Sequence, residues 1–90
     1  ALVVAALVAA VPGQAAVSVL GGGFAAACFR AAEGQRADAD DFMFCNRALA
    51  EEPLRARDRA ATLVNRGILY MRQKKYDIAL ADYDAAIRAK

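Results

Sequence analysis

No charged side chain occurs before Arg30, so all 12 Lys and Arg and all 10 Asp and Glu lie in the last two thirds of this 90-residue chain. Such a length carries one small domain at most. The apolar excess of 59% belongs to the first third rather than to the whole. A net charge of +2 is too small to imply nucleic acid or an anionic membrane as a partner.

Residues 1–11 form one apolar run, broken by Pro12-Gly13. The run has the length of a signal-peptide core and falls short of the roughly 20 residues that span a bilayer. Gly13-Gln14-Ala15 places small residues two apart, as signal peptidase requires, and Gln14-Ala15-Ala16 is a weaker second choice. Residues 1–15 are therefore expected to be a signal peptide or apolar leader. A basic start and a first Met are missing, so the chain reads as an N-terminal fragment of an exported protein, periplasmic or secreted. Three alternatives stay open: an uncleaved membrane anchor over residues 1–20, a lipoprotein-like processing site at Ala25-Ala26-Ala27-Cys28, and a buried core helix.

The residue inventory narrows the chemistry. There is no His, Ser18 is the single Ser, Thr62 is the single Thr, and two Cys cannot build a four-thiolate zinc site. Gly21-Gly22-Gly23 lacks the spacing of a phosphate-binding loop. No enzyme, catalytic residue, metal site or cofactor is expected, which leaves a binding or structural module. Arg55, Arg57 and Arg59, extended by Arg66 and Arg72, are interrupted by acidic residues and carry no interleaved aromatics. No nucleic-acid partner is expected from that footprint.

Two amphipathic helices follow in the last third. Leu63, Val64, Ile68, Tyr70 and Met71 mark the first, and Tyr76, Ala79, Leu80, Tyr83, Ala86 and Ile87 the second. The polar link Arg72-Gln73-Lys74-Lys75 is short enough to force them antiparallel. Gly67 costs about 1 kcal/mol in mid-helix, so its missing side chain is expected to admit a close neighbour. Ala79 is the matching small residue, with Tyr70 and Tyr83 filling the space above and below.

Leu63-x2-Arg66-Gly67-x2-Tyr70 followed by Ala79-x3-Tyr83-x2-Ala86 resembles one tetratricopeptide repeat. The family pattern is Trp-x2-Leu-Gly-x2-Tyr, then Ala-x3-Phe and a later Ala and Pro. Gly67, Tyr70, Ala79, Tyr83 and Ala86 match in type and spacing. Leu63 stands in the Trp slot, and Arg66 departs from the Leu slot. Upstream, Asp41-x3-Cys45-x2-Ala48-x4-Pro53 has the spacing of a second-helix ending, with Asp41 in place of Ala. The interval from Ala48 to Ala86 is 38 residues, against a family period of about 34, and the excess is assigned to a longer link. The expected divisions are a degenerate hairpin over 24–53, a linker over 54–59 and a repeat over 60–90. Phe24–Ala32 is the expected first helix, ended by Gly34, and Asp38, Asp40 and Asp41 suit the start of the next.

Cys28 and Cys45 then fall on facing helices. An even Cys count behind an export signal reads as a disulfide worth about 3 kcal/mol, with two buried free thiols as the alternative.

The fold expected is all-α: an apolar leader helix, then antiparallel hairpins stacked as an α-solenoid. The resemblance implies a protein–protein interaction scaffold that binds a partner segment in the groove of its first helices. On helix 60–72 that groove offers Ala61, Val64, Asn65, Ile68, Met71 and Arg72. Asn65 is the expected contact to peptide backbone, with Ile68 and Arg72 beside it. An inter-repeat hydrogen bond of Asn65 stays open, and Arg66, Arg72, Lys74 and Lys75 also read as a solvated face. Two units bury little apolar surface, so further repeats or self-association are expected. A membrane partner is expected only if the leader is uncleaved or lipidated. The alternative function is a structural assembly or chaperone-like periplasmic subunit without a peptide groove.

Overall fold

The structure, a computed structural model, describes residues 15–89. It is all-helical: α1 spans Gly23–Glu33, α2 Ala39–Glu51, α3 Ala56–Arg72 and α4 Tyr76–Ala89, and the described residues contain no strand. None of these helices is long and apolar enough to cross a membrane. The leader expected over residues 1–15 lies outside the described residues except for Ala15.

The glycine run before α1 has a local use. Gly23 sits at φ +80°, and a Cβ there would collide with the Glu52 carboxylate. That carboxylate accepts hydrogen bonds from the main-chain N–H of Phe24 (2.8 Å) and Ala25 (3.0 Å). Those N–H groups have no partner within the helix, and the positive end of the helix dipole favours an anion beside them. α2 begins with the expected cap. Asp38 accepts from the Asp41 N–H and the Asp41 carboxylate accepts from the Asp38 N–H, a reciprocal capping box. Bonds to the main chain and then the side chain of Asp41 hold the Asp38 carboxyl below its ordinary pKa. α2 stops before Pro53, which cannot supply a helical N–H.

The linker expected over 54–59 is corrected. α3 starts at Ala56, so residues 56–59 form an extra helical turn and only a short connection precedes them. Nothing after Pro53 breaks a helix, and Asp58 suits a first turn.

Both hairpin turns place a non-glycine residue at positive φ, Gln35 at 60° and Lys74 at 61°. Gly34, the expected helix stop, is the residue before the left-handed position and has φ −83°.

α3 packs against α1, α2 and α4 and is the central element. The main core joins Cys28, Ala31 and Ala32 of α1 to Cys45 of α2 and to Ile68 and Leu69 of α3. Ala60, Leu63 and Ala86 form a second cluster between α3 and α4. Cys28 and Cys45 are joined by a disulfide, with their Cα atoms 4.8 Å apart. Free thiols are thereby replaced as a reading, and an intramolecular bridge points to an oxidising compartment.

The packing of the aromatic residues differs from expectation. A Cβ on Gly67 would lie 2.6 Å from Cε1 of Tyr83. The ring of Tyr83, rather than Ala79, sits on the glycine. Ala79 and Ala86 are buried as expected. Tyr70 does not fill the α3–α4 space; its ring lies 4.7 Å from that of Phe42 on α2. Arg66 is also not a solvated residue. Its guanidinium makes two bonds to Asp82 of α4 (2.8 and 2.7 Å) and one to Asn46 of α2 (2.9 Å). The departure at Arg66 is thus matched by a buried carboxylate on the facing helix, and the bond to Asp82 raises the Arg66 pKa further.

Candidate functional site

The site is built on α3 and on the irregular segment that precedes α1. Asn65 is fully buried, at 0% exposure. Its side-chain amide bonds to both main-chain groups of one residue: Oδ1 accepts from the Val17 N–H at 2.8 Å, and Nδ2 donates to the Val17 carbonyl at 2.8 Å. A carboxamide carries the same donor and acceptor as a peptide group. Asn65 therefore pairs with main chain as a neighbouring strand would, without reading the side chain.

Two turns earlier on α3, the Asp58 carboxylate accepts from the Leu20 N–H at 3.3 and 3.2 Å. Arg57 bridges the two, donating to Asp58 Oδ1 at 2.9 Å and to the Ser18 carbonyl at 3.4 Å. The buried Thr62 hydroxyl donates to the Asp58 carbonyl at 2.8 Å. Asp58 and Asn65 are seven residues apart, a helical rise of about 10 Å. Val17 and Leu20 are three apart, which covers about 10 Å only when the chain is stretched. The segment over residues 17–20 is thus extended, and it runs opposite in direction to α3.

Beside it lies a cleft of about 530 Å³, lined by Val17, Ala56, Ala60, Ala61, Val64 and Ile87 among others. Its lining is aliphatic except for Arg57. Alanines at positions 56, 60 and 61 keep the floor low, so the volume follows from small side chains on α3.

The expected groove residues separate. Asn65 holds peptide backbone, but that of its own chain. Ala61 and Val64 line the cleft. Ile68 is corrected: it is fully buried in the main core and offers no surface. Arg72 is corrected too. Its guanidinium donates to the carbonyls of Ala31 (3.0 Å), Arg36 (2.9 Å) and Ala32. It closes the C-terminal end of α1, where carbonyls lack helical partners and positive charge is favoured. Burial there lowers its pKa. Arg57 and Asp58 were not legible as site residues, because they fell in an expected linker. The signal was present in Asp58 and Thr62 at helical spacing, but it needed the correct start of α3.

Among the described residues no group of three or more His, Cys, Asp or Glu is placed to hold a metal ion. No family model, curated protein or solved structure matches the chain.

Proposed function

We propose that the chain is a protein–protein interaction module whose α3 groove holds an extended polypeptide segment through its main chain. The carrying observation is the double hydrogen bond from Asn65 to both backbone groups of Val17. A fully buried carboxamide turned on both main-chain groups of a single residue is a device for holding backbone whatever its sequence. Asp58 supplies a second hold at the register of Leu20.

On the same reading, α3 and α4 are one tetratricopeptide-type repeat and α1 and α2 a degenerate one, the start of an α-solenoid. The approach of the Tyr83 ring to Gly67 supports it. The protein is read as exported through a leader ending near residue 15, which agrees with the Cys28–Cys45 bridge. Cleavage after Ala15 leaves Val17 and Leu20 in the mature chain. The activity proposed involves no catalysis and no cofactor.

The test is an array of peptides of varied sequence probed with the 90-residue chain. A scan of single N-methyl groups along a bound peptide is expected to find one position at which affinity falls ~10-fold or more, since methylation there removes a hydrogen bond of about 1 kcal/mol to Asn65 and adds a clash. A scan that finds no such position refutes the groove.

One observation favours a second reading, an assembly subunit. Tyr76, Leu80 and Ile87 are 51%, 56% and 69% exposed and share one face of α4. Such a stripe suits a stacked helix of another subunit. Size measurement in solution separates the two: a monomer at high concentration removes self-assembly.

A further inference from the structure

We infer that residues 15–20 are an exchangeable occupant of the α3 groove. The ligand they stand in for is an extended polypeptide segment with a side chain larger than valine at the Val17 register. The inference rests on the proposed peptide-binding function and adds its regulation and its side-chain preference.

Three observations carry it. First, the segment is held by few contacts, most of them to main chain. Val17 is bonded to Asn65, Leu20 to Asp58 and Ser18 to Arg57. The Leu20 side chain is 70% exposed, so it adds little to the hold. Ala16 is the residue of the segment that touches the main core. Segments with few buried apolar contacts open at low free-energy cost.

Second, the joint to α1 is free to swing. Gly21 has φ +86°, and a Cβ built on Gly21 or Gly22 would meet no atom within 4 Å. Both residues are exposed, and glycine reaches backbone angles closed to other residues. By contrast Gly23, the next residue, is locked against Glu52. Movement therefore has a defined limit, upstream of α1.

Third, the resident side chain leaves the adjacent cleft open. Val17 remains 36% exposed while lining a cleft of about 530 Å³. That volume lies within the range of about 300–1,000 Å³ typical of ligand sites. Exchange of one extended chain for another conserves the hydrogen bonds of Asn65 and Asp58, since both supply main-chain groups. The balance then falls to the side chain at the Val17 register. A larger apolar group there buries more surface in a cleft floored by Ala56, Ala60 and Ala61. A partner bearing leucine or phenylalanine at that register displaces the resident segment; one bearing aspartate does not.

The experiment uses the 90-residue chain labelled with ¹⁵N and followed by NMR. The probe is an unlabelled synthetic peptide of residues 15–22, with Val17→Phe and Val17→Asp versions and a version methylated on the amide nitrogen at that register. Addition of the parent peptide is expected to move the Val17 and Leu20 amide signals to solvent-exposed positions. The Val17→Phe peptide is expected to do so at ~10-fold lower concentration, and the methylated and Val17→Asp peptides not at all. Amides of Val17 and Leu20 that exchange as slowly as that of Leu69, with no displacement by millimolar peptide, make the segment a fixed part of the fold and overturn the inference alone. Equal potency of the Phe and Asp versions overturns the side-chain preference. A dimer that grows with concentration and keeps the bound signals assigns the groove to a second copy, which also overturns it. Unchanged Val17 exchange in Asn65→Ala refutes the groove itself, and with it the proposed function.

Discussion

Hairpin α1–α2 meets across a disulfide and a row of buried alanines, whereas α3–α4 meets across a glycine lying under the Tyr83 ring and an Arg66–Asp82 pair. The first pair has small side chains where its helices come closest, with Phe24 and Phe44 stacked beside them (ring centroids 6.5 Å apart), and a covalent link adds to that packing. The second buries a ring and two opposite charges and needs no bridge. The difference shows how two neighbouring helix pairs of similar length reach one fold by separate means.

The largest effect is expected at the bridge. It closes a separation of 17 residues, which in the chain-entropy model contributes about 3 kcal/mol. Reduction, or Cys28→Ala with Cys45→Ala, is expected to lower the unfolding free energy by that amount, read by circular dichroism in urea. A loss below about 1 kcal/mol would mean that the first seam is held by packing after all.

Next comes the ion pair. Asp82 is 5% exposed, and Asp82→Ala leaves the Arg66 guanidinium without its main partner. The expected cost is about 2–3 kcal/mol. Arg66→Leu with Asp82→Leu is expected to recover most of it, since paired apolar groups tolerate burial well. Urea unfolding of the single and double variants gives the coupling. If the costs of Arg66→Leu and Asp82→Leu simply add in the double variant, the pair contributes nothing to the second seam.

Gly67→Ala follows, at about 1–3 kcal/mol from overpacking, because the added methyl runs into the Tyr83 ring. Tyr83→Leu in the same chain is expected to relieve it. Burial raises the Tyr83 pKa, and its hydroxyl has no hydrogen-bond partner among the described residues. Loss of that ring therefore removes an unpaired polar group as well as the clash. Full stability of Gly67→Ala alone would show that the second seam can open without loss.

The smallest effect is that of pH on the start of α2. The folded-state pKa of Asp38 is lowered by its bonds to Asp41. A depressed carboxylate adds stability that is complete above its unfolded value of about 4 and is lost as pH falls through the folded one. Helicity measured from pH 6 down to pH 2 is expected to fall in that window, and less so in Asp38→Ala.

Much of this was legible in the residues. Helical spacing gave four helices, the turn at Lys74, the Asp38 cap and the facing positions of Cys28 and Cys45. These depend on near neighbours in the chain, where propensity, capping and periodicity act. The start of α3 was missed because an amphipathic pattern marks where a helix is buried, not where it begins. Ala56–Arg59 add a turn that the repeat spacing had assigned to a loop.

The sequence by itself determined the helices and their pairing, and its resemblance to a repeat pattern pointed to Asn65 as a contact to main chain. Only the tertiary structure decided what that residue grips. Val17 lies 48 positions away, and nothing local links the two. It also decided that Arg72 closes α1 and that Ile68 belongs to the core. Those outcomes depend on which far surfaces meet, and burial energy has no direction along the chain.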